Sequence, residues 1–133
     1  MLLVSSRFGP RVHPVTLKPS FHTGVDFAIP SGTATLTPVP GLVTRLDVDG
    51  QEKGVINGNA VHLRAGKSTW SFLHLSAFGP QVRVGATLPP GGLVGWSGNT
   101  GRSTGPHLHL SVRIGEEYVD PLQFFPPNSW RLL

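Results

Sequence analysis

Two short segments carry residues whose types and spacing suit metal binding. In HTGVD, His22 and Asp26 stand four positions apart. In HLH, His107 and His109 stand one residue apart. Zinc binds imidazole nitrogens and carboxylate oxygens, and a catalytic zinc site combines three protein ligands with a water molecule. His22, Asp26 and one histidine of the pair would supply those three ligands.

The second histidine of the pair would then lie beside the metal as a general base. Zinc lowers the pKa of its bound water to near 7, and a neutral imidazole within reach can take the proton. The chain has no HExxH motif, so no glutamate is placed for this task. His74, in SFLHLS, could stabilise the oxyanion of a tetrahedral intermediate. These residues predict hydrolysis, but they leave open whether His107 or His109 binds the metal.

Strand geometry is what would bring these side chains together. The polar and apolar residues of GPHLHLSV alternate, which is typical of a half-buried strand. Leu108 and Leu110 would face a core, and the two histidines would share the opposite face. A simpler interpretation is a pair of surface histidines with no role. Around HTGVD, Gly24 favours an extended segment, in which residues four apart also share a face.

Composition favours short strands over helices throughout. The 133 residues include 17 glycines and 13 prolines, which leave little room for long helices, while 38% are hydrophobic, too many for disorder. We therefore predict one all-β, mainly antiparallel domain over residues 1–133, with little or no helix. Predicted strands cover residues 59–65, 69–75, 82–88 and 93–98, one short strand lies within residues 1–21, and DVDG (47–50) is a turn. His62, an isolated polar residue in its strand, is expected to face solvent.

Charge and targeting signals limit the possible partners. The net charge is +4, but the basic residues are scattered and no nucleic-acid motif occurs, so we expect no nucleic-acid partner. No apolar stretch approaches a membrane span of about 18 residues, so no membrane insertion is expected. The absence of cysteine excludes thiolate ligands. The start lacks the features of a signal peptide, so action outside a cell implies delivery by a phage or a leader already removed.

Four motifs together resemble the M23 zinc metallopeptidases, the lysostaphin or LytM-type peptidoglycan endopeptidases. They are FGPRVHPVT (8–16), FHTGVDFAIPSGT (21–33), FLHLS (72–76) and SGNTGRSTGPHLHLSV (97–112). The resemblance implies a compact antiparallel β fold with one zinc ion in a groove. It assigns His22, Asp26 and His109 as zinc ligands. It makes His107 the general base and gives His74 a role at the transition state.

The same resemblance implies an endopeptidase that cuts the peptide cross-links of bacterial peptidoglycan, acting on the cell wall as a monomer. The alternative is a non-catalytic LytM-type module that regulates or binds cell-wall machinery. Two positions depart from the family pattern: Phe72 replaces a common tyrosine, and Arg64-Ala65 replaces a common Asp-His pair. Neither change removes a predicted ligand or catalytic histidine. Whether the bond cut lies in a glycine bridge or between D-alanine and diaminopimelate is not decided by these motifs.

Overall fold

The computed structural model describes residues 1–13 and 16–133, so Pro14 and Val15 of the first motif lie outside the described residues. The described chain is built almost entirely of strands joined by turns. It contains thirteen strands, one short α-helix and two 3-10 helices: β1 (Leu2–Ser6), β2 (Gly9–Val12), β3 (Pro19–His22), β4 (Val25–Phe27), β5 (Ala34–Leu36), β6 (Gly41–Asp47), α1 (Gly54–Asn57), β7 (Asn59–Ala65), β8 (Ser68–Phe78), β9 (Thr87–Leu88), β10 (Leu93–Ser97), β11 (Leu108–Ile114), β12 (Glu117–Val119), the 3-10 helices Pro121–Phe124 and Pro127–Ser129, and β13 (Trp130–Leu132).

One large sheet dominates the architecture. Its strands follow the order β13-β1-β4-β11-β8-β7-β6-β9, with β10 pairing β5 and β8, and β12 pairing β11. β2 and β3 form a separate two-stranded sheet. Among the described strands only β1 and β13 run parallel; the other pairs are antiparallel. The prediction of a mainly antiparallel all-β fold with little helix is therefore confirmed.

The core lies against one face of the central strands, as the alternation in β11 predicts. Leu108, Leu110 and Val112 are buried on that face. Phe72 of β8 and Leu63 of β7 lie in the same hydrophobic cluster. Because side chains alternate along a strand, the intervening residues of β11 are left on the opposite face. The two leucines of HLHL thus anchor the strand, and the histidine between them is free for chemistry.

Three strand predictions differ in extent from the structure. The described part of residues 1–21, for which one strand was predicted, contains β1, β2 and all but the last residue of β3. β8 extends beyond residues 69–75 to cover Ser68–Phe78. Of residues 82–88, only Thr87–Leu88 form a strand. Turn hydrogen bonds from Val82 to Gly79 and from Ala86 to Arg83 occupy the preceding part. Gly85, with φ +93°, sits within that turn, where L side chains are disfavoured.

The prediction that His62 faces solvent is wrong. His62 is only 8% exposed. Its ring lies between Asp47 of β6, 2.7 Å from Nε2 to Oδ2, and Ser71 of β8, 2.7 Å from Nδ1 to Oγ. Both partners come from neighbouring strands, so the local pattern of β7 could not reveal them. Buried polar groups need such partners, and this ring has one on each side.

The described residues include no helix that is long and apolar enough to cross a membrane.

Leu110→Ala tests how far the fold depends on the strand that carries the histidine pair. Leu110 is 2% exposed, so we expect a loss of about 2–5 kcal/mol in the free energy of unfolding. Urea denaturation in a chelating buffer, which keeps metal binding out of the measurement, provides the test. Val84→Ala is the control, because Val84 is 61% exposed and its truncation should change stability by less than about 0.5 kcal/mol. Equal effects of the two changes would contradict this packing.

Candidate metal centre

Three strands bring the predicted ligands together. His22 is the last residue of β3, and Asp26 lies in β4, so the two residues stand on successive strands joined through Thr23 and a bend at Gly24, and not on a helix. β4 pairs antiparallel with β11, and in this register Asp26 lies directly opposite His109. Directly opposed residues of an antiparallel pair have Cβ atoms about 4.5–5.5 Å apart, so their side chains can meet. Two segments separated by more than eighty residues of chain thus form one site.

The three side chains converge on a single point. His109 Nδ1 lies 3.0 Å from Asp26 Oδ1 and 3.3 Å from His22 Nε2. His22 Nε2 lies 3.4 Å from the same Asp26 oxygen. Zinc ligands at about 2.0–2.1 Å in a tetrahedron are separated by about 3.3–3.4 Å, which is close to these values. Two imidazoles and a carboxylate are also a typical zinc donor set, so these residues fit a zinc ion.

Backbone carbonyls fix the orientation of the surrounding histidines. The Nδ1–H of His22 donates to the Arg7 carbonyl at 2.9 Å, which leaves Nε2 unprotonated and directed at the site. His107 donates in the same way to the Gly105 carbonyl at 2.8 Å, and His74 to the Thr100 carbonyl at 2.7 Å. Such second interactions fix the tautomer of a metal-site histidine. In each ring the free nitrogen is therefore Nε2.

His107 and His74 stand beside the ligands without belonging to the triad. His107 Nε2 lies 3.7 Å from Asp26 Oδ1. The ring centroids of His74 and His107 are 4.8 Å apart, and those of His74 and His109 are 6.2 Å apart. The structure thus brings together all five residues that the sequence singled out. His109, and not His107, has the nitrogen that converges with Asp26 and His22.

Burial and charge set the protonation of the site. Burial by itself would raise the pKa of Asp26, but hydrogen bonds from His109 and His22 outweigh it and hold that pKa well below its usual range. Burial, together with the neighbouring His107 and His109, lowers the pKa of His74 to about 4. Asp26 is therefore an anionic ligand, and His74 is a neutral ring at pH 7.

A backbone irregularity turns His74 toward the site. His74 has φ +66°, a left-handed conformation that is unfavourable for a residue with a side chain. Opposite Asn59 and Val61 of β7, which are two residues apart, β8 places Leu75 and Phe72, which are three residues apart. The extra residue is a β-bulge, a feature that redirects side chains near active sites. Leu73 lines the outer face, and the bulge allows the next residue, His74, to contact the histidines on that same face.

Gly24 allows β4 and β11 to approach closely at the ligands. A Cβ at this position would lie 2.6 Å from His109 Nε2 and 2.5 Å from the Leu110 carbonyl oxygen. Both distances are far shorter than van der Waals contact. The glycine between His22 and Asp26 is therefore needed for His109 to reach them.

Arg11 is a site residue that the sequence analysis did not identify. Its Nη1 donates to Ser6 Oγ at 2.8 Å and lies 3.9 Å from Asp26 Oδ2. Its Nε is buried and has no hydrogen-bond partner in the described part of the chain. The guanidinium thus adds positive charge behind the carboxylate ligand. The only sequence signal was its position inside the first motif, which carried no chemistry of its own.

A groove of about 290 Å³ extends from His109 over the outer face of the sheet. Most of its lining side chains lie in cross-strand rows. His109 and Leu73 are paired in the first row, and Asp26, which does not line the groove, pairs with His109 on the other side. Ser111, Ser71, His62 and Arg45 are paired in the second. Arg113, Thr69 and Tyr118 are paired in the third. The sequence analysis identified the first row but not the other two.

Comparison with known proteins agrees with this geometry. Peptidase family M23 matches residues 20–121 of the chain. The DD-carboxypeptidase/endopeptidase Mpg of Neisseria meningitidis is 38% identical over 126 residues, which are 94% of this chain and 27% of that protein. The peptidoglycan DD-endopeptidase ShyA of Vibrio cholerae is 41% identical over 122 residues, which are 90% of this chain and 27% of that protein.

The fold is likewise similar to that of a zinc-containing peptidase from Vibrio cholerae, with a TM-score of 0.76 and 33% identity, over 88% of this chain and 35% of that one. The β fold and the site thus define a peptidase domain of the LytM type. The chain belongs to peptidase family M23. It spans about a quarter of the length of the two curated relatives.

Gly24→Ala should weaken zinc binding while the chain stays folded. The added methyl group must displace either the His109 ring or the β11 backbone, so a ligand is misplaced. We expect zinc affinity to fall at least about 10- to 100-fold, the range for disturbed second interactions. Competition with a chromophoric chelator measures this affinity. Gly105→Ala is the control, because a Cβ there meets nothing within 4 Å. Unchanged affinity in Gly24→Ala would contradict the close approach described above.

Proposed function

We propose that this chain is a zinc-dependent endopeptidase that hydrolyses the peptide cross-links of bacterial peptidoglycan. The observation that carries the proposal is the convergence of His22 Nε2, Asp26 Oδ1 and His109 Nδ1, with two further imidazoles beside them. Family membership and the peptidoglycan endopeptidase activity named for ShyA support it. A module that only binds or regulates would not need this full set of ligands and bases.

His22, Asp26 and His109 would hold the zinc ion. The bound ion supplies a Lewis acid for the scissile carbonyl and lowers the pKa of the attacking water. His107 accepts the proton of that water on Nε2, which its hydrogen bond to the Gly105 carbonyl leaves free. The same nitrogen returns the proton to the leaving amine. The Gly105 carbonyl also stabilises the charged ring, because it accepts from Nδ1–H in both protonation states.

His74 completes the arrangement on the other side of His107. Its Nδ1–H is committed to the Thr100 carbonyl, so Nε2 is the nitrogen that can face the substrate. In the neutral ring Nε2 is only an acceptor, so it must first take up a proton from solvent before it can donate to the developing oxyanion. We therefore assign His74 a supporting role at the transition state and His107 the role of base.

The substrate implies where the protein acts. Peptidoglycan is the partner, and the site of action is the cell wall, outside the cytoplasmic membrane. We propose a monomer, because the ligands and both catalytic histidines come from one chain.

Removal of zinc should abolish wall lysis. Purified protein is expected to clear a suspension of isolated peptidoglycan, and chelation should stop the clearing until zinc is restored. The measurement is turbidity, supported by mass spectrometry of the released fragments. Lysis at full rate by protein shown to be free of metal would overturn the mechanism.

A matched pair of substitutions separates the two histidines of HLH. His107→Ala should keep zinc and lose about 10²- to 10⁴-fold in turnover, the contribution of general acid–base catalysis. His109→Ala removes a ligand and should lose most of the zinc. Plasma emission spectrometry measures the zinc content of each variant, and the release of peptidoglycan fragments measures its turnover rate. A substantial fall in zinc content in His107→Ala would reverse the roles assigned to the pair.

A further inference from the structure

We propose that the groove beyond His109 is a carboxylate-binding subsite, in which Arg113 and Arg45 bind free carboxylates of the wall peptide beyond the scissile bond. This inference rests on the proposed function and specifies its substrate. The bond cut would then belong to peptides that carry free acids, such as the diaminopimelate type, and not to uncharged glycine bridges.

The charge of the groove is the first argument. Its described lining contains two arginines, Arg45 and Arg113, and no acidic residue. Arg113 makes no ion pair with the described residues and is exposed, so its charge is available to a ligand. The remaining lining residues carry mostly hydroxyl groups, among them Thr69, Ser71 and Ser111. Guanidinium and hydroxyl donors together favour an anionic ligand with oxygen acceptors.

Asp47, the acid that contacts Arg45 and His62 of the second row, is already fully engaged. Its carboxylate accepts from Arg45 Nε at 3.1 Å, from Arg45 Nη2 at 3.2 Å and from Asn57 Nδ2 at 3.0 Å. Burial alone would raise its pKa, but hydrogen bonds from Asn57, His62 and Arg45 lower it to about 2. Asp47 is therefore ionised, and it is 6% exposed. Its two hydrogen bonds fix the orientation of the Arg45 guanidinium. Arg45 Nη1 makes no hydrogen bond to the described residues, which leaves it for a ligand.

The Asp47–His62–Ser71 chain also fixes a hydroxyl on the floor. His62 Nε2 lies 2.7 Å from Asp47 Oδ2 and 2.9 Å from Arg45 Nη2. The carboxylate only accepts and is the nearer of the two, so we place the proton of His62 on Nε2, directed at Asp47. Nδ1 then accepts from the Ser71 hydroxyl at 2.7 Å. Burial lowers the pKa of His62, so the ring stays neutral at pH 7. Ser71 consequently presents lone pairs to the groove, where a peptide N–H can donate to them. The hydroxyl of Ser111, opposite it, makes no hydrogen bond to the described residues and can donate to a carboxylate.

The rows place the subsite at a definite distance from the metal ligands. Two residues along a strand span about 7 Å, so the Ser111 row lies about 7 Å and the Arg113 row about 14 Å from His109. An extended peptide covers at most about 3.3–3.6 Å per residue. The acids recognised by these rows would therefore lie about two to four residues from the bond that is cut.

The test uses two cross-linked peptide dimers that are identical except that their free carboxylates are intact in one and converted to primary amides in the other. We expect kcat/KM of the zinc-loaded chain to be at least about tenfold higher for the acid, the size of effect of a charge-assisted hydrogen bond. Arg113→Gln should abolish most of this preference, so that the ratio of kcat/KM between the acid and the amide approaches one. Arg45→Gln should reduce it as well.

Arg131→Gln is the matched control. Arg131 lies in β13, at the opposite edge of the sheet from β6, and is exposed. The same loss of one positive charge there should leave the preference intact, which separates local recognition from attraction by net charge. Unfolding curves of all three variants show whether any loss reflects stability, and Arg113→Gln removes no ion pair or side-chain hydrogen bond within the described residues. Preference for the acid retained in Arg113→Gln would overturn the subsite.

A binding measurement separates failure of this proposal from failure of the proposed function. Uncross-linked acid and amide stem peptides are titrated into the isotope-labelled chain and followed by NMR. If neither dimer is cut but the acid peptide alone shifts the Ser111 and Arg113 amides, the subsite stands and the endopeptidase activity fails. If both dimers are cut equally and neither peptide is preferred, the activity stands and the subsite is wrong.

Discussion

The register between β4 and β11 is the constraint on which the site depends. Because Asp26 lies opposite His109, the carboxylate and the second imidazole are set by backbone hydrogen bonds and not by flexible side chains. A slip of one residue would exchange the two faces of β11 and place leucines at the site. The buried Leu108 and Leu110 oppose that slip, since it would move both of them out of the core. The hydrophobic core therefore specifies where the proposed metal ligands lie.

The outer face of the sheet combines two kinds of chemistry in adjacent rows. The row of His109 and Asp26 carries groups that suit a cation, with Arg11 behind the ionised Asp26. The next rows carry donors that suit an anion. Asp47 orients Arg45 through two hydrogen bonds, and hydrogen bonds from His109 and His22 stabilise the ionised Asp26. Groups that are fixed before a substrate arrives lose little freedom on binding, and this is the main advantage of building a groove on paired strands.

The sequence predicted the parts of the site that are local and missed the parts that are not. Spacing within one segment is enough to pair His22 with Asp26 and His107 with His109. Imidazole and carboxylate groups also limit the chemistry of such pairs to metal binding and proton transfer. The distinction between His107 and His109 came from the resemblance, because strand periodicity places both on one face. The role of His62 depends on Asp47 of β6 and Ser71 of β8, so neither partner lies in the strand that carries His62. The short β9 shows the same limit, since turn hydrogen bonds decided where that strand begins.

The left-handed backbone of His74 limits how this site could be transplanted. An unbroken strand presents alternate residues to one surface, whereas here Leu73 and His74 serve the same surface in succession. Grafting the five side chains onto a regular sheet of another protein would leave one imidazole directed into the interior. A graft that preserves the site has to include the extra residue of β8 with its left-handed backbone. The smallest segment that could be transferred is therefore the irregular part of β8 together with its neighbouring strands.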